Sequence, residues 1–206
     1  MREIKPYQTL RGAQRALDNG GRFYNLFART GDDILEPAEL ARAAGVHSSD
    51  AKAFLHFEMG IMGLPPEERE KIISKLTPDL HEKYLAQRPK TLSPSAVEAQ
   101  GQAGKSIIVT GYPVFVEDKS QFTGFIVLIV PVIILVPIFD QFDVYEVFDA
   151  PDLRHPRTVI ATTRGTKRLD GRYMRFGGML KELYFEDQTG KDHGLFLEAL
   201  YYTQLE

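Results

Sequence analysis

Residues 122–139 read FTGFIVLIVPVIILVPIF: eighteen residues without a charge, a hydroxyl only at Thr123, and prolines at Pro131 and Pro137. What shields this run from water decides the fold. Eighteen apolar residues reach the lower limit for a membrane-spanning helix. The same residues also suit strands buried inside protein. Nine of the eighteen are Ile or Val, which favours strands but is also normal in a membrane helix. The prolines cut the run into FIVLIV and VIILV, each of strand length. Inside a water-soluble helix each interior proline costs about 3 kcal/mol. Flanking charge gives no orientation, since Lys105 and Lys119 precede the run and Arg154 and Arg157 follow it. Buried strands are the favoured reading and a membrane span or embedded hairpin the alternative. In either case Phe125, Ile126, Leu128, Ile133, Leu135 and Ile138 are the candidate interaction or membrane surface. A small barrel buries one face of each strand, so the second apolar face needs cover from a helical domain or another subunit.

Upstream of the run the pattern is helical. Over residues 1–90, Leu10, Ala13 and Leu17 share a helical face, and Asn19-Gly20-Gly21 interrupts it. Pro65-Pro66-Glu67-Glu68 and Thr77-Pro78-Asp79 are helix starts, with proline in the first turn and acids near the positive end of the dipole. Residues 91–105 are poor in large apolar side chains and rich in Ser, Gln and Gly, which predicts a linker. From Ser106 onward the texture is β: SIIVTGYPVFV, Arg157 to Thr163, Tyr173 to Phe185 and Leu195 to Gln204 read as strands. Asp170-Gly171 is a two-residue hairpin signal, and Gly177-Gly178 predicts a bulge. The predicted fold class is α+β: a small N-terminal helical domain (1–90), a linker (91–105), and a β-rich C-terminal barrel or sandwich (106–206). Strand number and mid-strand glycines fit an OB-like barrel.

Composition bounds the rest. The 206 residues carry 43% hydrophobic and 26% charged side chains and a net charge of -3, ordinary for a globular protein. No global attraction to nucleic acid or acidic lipid follows from that charge. The chain has no cysteine, which removes disulfides, thiolate metal sites and cysteine nucleophiles. The N-terminal MREIKPYQTLRGAQRAL lacks the apolar core of a secretory signal, so a cytoplasmic protein is expected, membrane-associated if the run enters lipid.

Two charged tracts follow the run. Residues 139–153 read FDQ-FDV-YEV-FDA-PDL, an aromatic residue followed by an acid at every third position. Period three matches neither a strand face nor a helix face. The favoured reading is a strand buried on both sides with its carboxylates satisfied at edges or by basic neighbours. Regular spacing would spread the acids along an extended chain rather than around one ion, so no metal is expected. Between Arg154 and Lys181 lie eight Lys or Arg residues against one acid, Asp170. Arg164, Lys167, Arg168, Arg172, Tyr173 and Arg175 are therefore the candidate contacts for single-stranded nucleic acid or another anion, through backbone charge and stacking. Pairing of these cations with nearby acids is the competing reading.

Several motifs resemble chemistry without its context. AQGQAGKS at 99–106 ends like a phosphate loop, but a polar stretch precedes it and a strand follows, the reverse of the strand–loop–helix order that points amides at phosphate. PAELARAAGVHSSDAKAF at 37–54 resembles a helix-turn-helix, yet its would-be reading helix carries Asp50 and Glu58 against Lys52. GDDILEPAEL at 31–40 resembles the exit half of an EF-hand, but Ala28 and Thr30 stand where acids belong. The five histidines are scattered without a paired spacing. No catalytic residue and no cofactor is assigned. The leading expectation is a non-enzymatic binding or assembly module with a protein partner or self-association, ahead of a membrane-associated protein or a nucleic-acid-binding barrel.

Overall fold

A computed structural model describes residues 1–19, 31–45, 50–117, 124–130, 132–152, 158–165, 168–187 and 190–205. Both helices and a large mixed sheet are present, so the chain is α+β. It divides into two compact units, Ile4–Lys90 and a second made of Met1–Glu3 with Thr91–Glu206.

The first unit is helical. Helix α1 (Leu10–Leu17) starts where the Thr9 hydroxyl accepts the Gly12 N–H at 3.1 Å, and it buries Ala13 and Leu17. Helix α2 (Pro37–Ala44) has proline in its first turn and ends at Gly45, whose φ of +69° a side chain rarely adopts. Helices α3 (Asp50–Ile61), α4 (Pro66–Ile73) and α5 (Pro78–Gln87) follow, the last two opening on the expected prolines and acids. Phe54 and Phe57 pack edge-on against Tyr84 at 5.6 and 5.5 Å between ring centres, inside a core that includes Leu17, Leu40 and Ile72. Glu58 is 5% exposed and is held by the Tyr84 hydroxyl, which donates to it, and by Arg88 at 3.1 Å. The helix-turn-helix-like pair thus buries the face a reading helix would present: Ala53 to Ile61 are all buried in α3. In the EF-hand-like stretch, Asp18 accepts the N–H groups of Gly31 and Asp33 at 2.6 and 2.7 Å, and Asp33 pairs with Lys75.

The second unit is a nine-stranded sheet. Its strands are β1 (Arg2–Glu3), β2 (Lys90–Leu92), β3 (Ser106–Phe115), β4 (Gly124–Val130), β5 (Val132–Pro137), β6 (Phe142–Phe148), β7 (Thr158–Thr163), β8 (Met174–Asp187) and β9 (Gly190–Gln204). The order is β1-β9-β7-β6-β3-β8-β4-β5, with β2 beside β3. Strand β8 also pairs with β9, so the path β9-β7-β6-β3-β8 returns to its start. The pairs β3–β6, β3–β8, β4–β5, β4–β8, β6–β7 and β8–β9 are antiparallel, and β7–β9 and β1–β9 are parallel. Within 91–105, the expected linker, the chain forms one 3-10 turn at Pro94–Ala96 and the short helix α6 (Val97–Gln100).

Two glycines set this pairing. A methyl group on Gly178 would sit 2.1 Å from the Glu198 carbonyl oxygen, and the register of β8 against β9 shifts between Gly177 and Gly178. At Gly111 it would sit 2.6 Å from the carbonyl oxygen of Phe148. Asp170-Gly171, by contrast, closes no hairpin. Strand β7 pairs with β6 and β9, and β8 with β3, β4 and β9, so the turn signal lies in a longer connection between strands that are not neighbours.

The apolar run is not one helix. It makes the hairpin β4–β5, in register from Phe125↔Pro137 to Val130↔Val132, then one helical turn, α7 (Ile138–Gln141). Among the described residues no helix is long and apolar enough to cross a membrane. Ile126, Ile138 and Phe139 are buried with Val144, Ala161, Leu183 and Phe196, while Ile107, Val109, Tyr145, Val147, Phe176 and Leu197 belong to a separate cluster. Successive residues of β6, Val144 and Tyr145, thus serve different cores. Both sides of this strand are apolar because both are covered within the sheet unit. The triplet tract is broken at Phe139, which lies on α7, before β6 begins. Asp143 accepts the Gly165 N–H at 2.7 Å and Asp149 the Ser95 N–H at 3.4 Å, so backbone amides engage both carboxylates.

Candidate functional site

Hairpin β4–β5 joins the rest of the sheet through two residue pairs, Gly124↔Phe185 and Phe125↔Tyr184. From Ile126 to Val130, β4 has β5 as its one strand neighbour among the described residues, and β5 ends the sheet order. Five residue pairs extend past that junction, roughly 17 Å at about 3.4 Å per residue. No charged residue occurs from Ser120 to Phe139. Edge strands are ordinarily guarded by charge, proline or a bulge. In β5 the proline, Pro137, is at the last position, so among the described residues Val132 to Val136 carry none of these guards. Of the six surface candidates, Ile126 and Ile138 are buried at 8% and 0% exposure and anchor the base of the hairpin. Phe125 is half-buried at the junction. Leu128, Ile133 and Leu135 have hairpin positions set by register, opposite Ile134, Ile129 and Val127.

Two cavities adjoin this base, and Phe142 lines both. The first, about 490 Å³, is bounded by Ile126, Met179, Leu180, Phe196 and the Gly104 loop. That loop belongs to the phosphate-loop-like motif. It is stitched to β8, with the Gly104 N–H donating to the Leu180 carbonyl at 2.8 Å and the Leu180 N–H to the Lys105 carbonyl at 2.9 Å. The second, about 470 Å³, has Phe115, Phe139 and Phe142 on its walls together with Arg164, Arg168, Glu117 and Asp143. Arg168 lies over the Phe115 ring at 4.2 Å and reaches Glu117 at 3.4 Å, both side chains well exposed. Burial pushes the Tyr145 hydroxyl and the Glu146 carboxyl above their usual ranges.

The basic candidates divide. Arg164 and Arg168 share the second cavity; Arg172, Tyr173 and Arg175 do not line it. Arg172 is engaged by Asp170, Nε to Oδ2 at 2.6 Å, and donates to Gln204 at 3.2 Å. That guanidinium holds the exposed Asp170 carboxyl below its usual range. Tyr173, 39% exposed, tilts against Tyr112 at 4.9 Å. Arg175 is half-buried within β8, in register with Thr110 and Thr203. Lys167, Arg154 and Arg157 lie outside the described residues. Among the described residues the charges lining the second cavity balance, two guanidinium groups against two carboxylates.

Phe115 and Glu117 carried no sequence signal for this cavity, because only the pairing of β3 with β6 brings the end of β3 beside Asp143 and Val144. Phe142 and Asp143 did stand out, as part of the triplet tract. Among the described residues no group of three or more His, Asp or Glu is placed to hold a metal ion. Compared with known proteins, the chain matches no family model, no curated sequence and no solved structure.

Proposed function

We propose that this protein is a non-enzymatic assembly module that binds a protein partner by strand addition at the edge of β5. The observation that carries this is the uncharged hairpin, joined to its sheet by two residue pairs and ending in an unguarded edge. A two-stranded hairpin is marginal alone and gains stability from further strands or a packed face. Added backbone satisfies the N–H and C=O groups of the edge, and the neutral aliphatic sequence suits burial. The returning path of five strands, with one parallel pair between β7 and β9, supports an OB-like barrel as the frame that carries the hairpin.

Lipid fits the hairpin less well. Its strands are 7 and 6 residues long, whereas a membrane-crossing strand needs about 9–11 residues. The open edges would carry unpaired peptide groups into hydrocarbon at several kcal/mol each. The balanced charge around Arg164 and Arg168 likewise lends little support to phosphate tracking.

Ile134→Lys, a charge at the centre of β5, tests the proposal. In a lysate of cells that make the protein, the native chain is expected in a species larger than a monomer, and the variant is expected to elute as a folded monomer. A native chain already at monomer size, or a variant that stays in the larger species, refutes strand addition. Co-flotation of the native chain with lipid vesicles would point to the membrane instead.

A further inference from the structure

The edge of β5 has a property beyond being open. Val132-Ile133-Ile134-Leu135-Val136 has nearly the same character read in either direction. Antiparallel pairing of this strand with itself, about a twofold axis at Ile134, sets Val132 opposite Val136, Ile133 opposite Leu135 and Ile134 opposite Ile134. Every pair so formed is aliphatic and mostly β-branched, the kind that stabilises adjacent strands.

Homotypic antiparallel pairing sets a charge on the twofold axis against its own copy, and a strand carrying charge of one sign repels itself, so edge lysines oppose it. Here the uncharged stretch from Ser120 to Phe139 removes that repulsion. Resting on the assembly reading above, we infer that the strand added to β5 is the β5 of a second copy of this chain, antiparallel about a twofold at Ile134.

Pairing of this kind joins two hairpins into four continuous strands, β4-β5-β5-β4. That passes the number of strands at which a sheet becomes independently stable. Through β5 the twofold joins two copies, since among the described residues that strand has one edge without a strand neighbour and the pairing uses it.

The absence of cysteine makes the register directly testable, because any introduced thiol is unique. The purified full-length chain is expected to sediment at twice its 23.3 kDa mass. Under mild oxidation Ile134→Cys is expected to form a covalent dimer, and Val132→Cys is not. Residue 132 lies four residues from its own symmetry mate, roughly 13 Å, beyond the roughly 7 Å that a disulfide spans between Cα atoms. An equal mixture of Val132→Cys and Val136→Cys chains is expected to cross-link, which covers the case in which the central substitution perturbs the hairpin.

A dimer that cross-links through 132 alone, or at none of these positions, overturns the twofold at Ile134. A purified monomer that still enters a larger species in the lysate overturns the second copy and leaves strand addition standing. A monomer in both settings overturns both.

Discussion

Glu39 offers a sharp test of the helical unit. Its side chain is 0% exposed; Oε2 accepts the Glu36 N–H at 3.1 Å at the start of α2, and Oε1 has no hydrogen-bond partner among the described residues. Burial, with smaller contributions from the negative charges of Asp18, Glu36 and Asp32, raises its carboxyl to about 7 from an ordinary 4.5. The folded protein therefore keeps a proton that the unfolded chain releases above pH 4.5. Stability attributable to Glu39 is complete below that pH, declines as pH rises, and levels off above about 7. At 1.36 kcal/mol per pKa unit the loss is at most about 3 kcal/mol, and roughly 1–3 kcal/mol once partial solvation is considered. Glu39→Gln keeps an acceptor for the Glu36 N–H but cannot ionise. In urea unfolding followed by helical ellipticity at 222 nm, the variant is expected to exceed the native protein by about 1–3 kcal/mol at pH 8 and to match it within about 1 kcal/mol at pH 4.5. The difference between the two proteins is the quantity to follow, since other groups titrate identically in both. A difference independent of pH, or one that grows toward acid, refutes the assignment of a buried protonated carboxyl.

Two further outcomes follow from packing. Gly178→Ala is expected to destabilise the sheet unit by about 3 kcal/mol or more in thermal unfolding, because the new methyl group meets the Glu198 carbonyl oxygen at 2.1 Å and neither strand can yield without breaking the ladder. Glu58→Ala is expected to cost about 3 kcal/mol in urea unfolding, leaving the Tyr84 hydroxyl and Arg88 without their shared acceptor; a double-mutant cycle with Tyr84→Phe should give a coupling of about 1 kcal/mol or more, and strict additivity would contradict the network.

Local chemistry was readable wherever a residue acts on its own neighbours in the chain. Pro66 and Pro78 open α4 and α5, Gly45 follows the end of α2, and the prolines at 131 and 137 bracket β5. Gly177-Gly178 falls where the ladder shifts. Asp170-Gly171 misled because a turn signal describes four residues, whereas a hairpin also requires the flanking strands to be partners, and β7 turns to β9 instead. The strand β6 was expected to be buried on both sides, and it is: Tyr145 and Val147 join one cluster, while Val144 joins another with Ile126, Ile138 and Phe139 from the apolar run.

The candidate sites divide along the same line. The lack of charge in β5 is a property of consecutive residues and was visible as such, within the uncharged run from Phe122 to Phe139. The cavity that unites Phe115, Asp143, Arg164 and Arg168 draws on two strands and the connection after β7, and no spacing in the chain encodes it. Alone, the sequence determined which long stretches are helical and which extended, because caps, prolines and alternation act over a few residues. The tertiary structure decided which strands meet, which face each core takes, and that β5 is left at the edge, because those outcomes depend on contacts between residues far apart in the chain whose closure no local preference dictates.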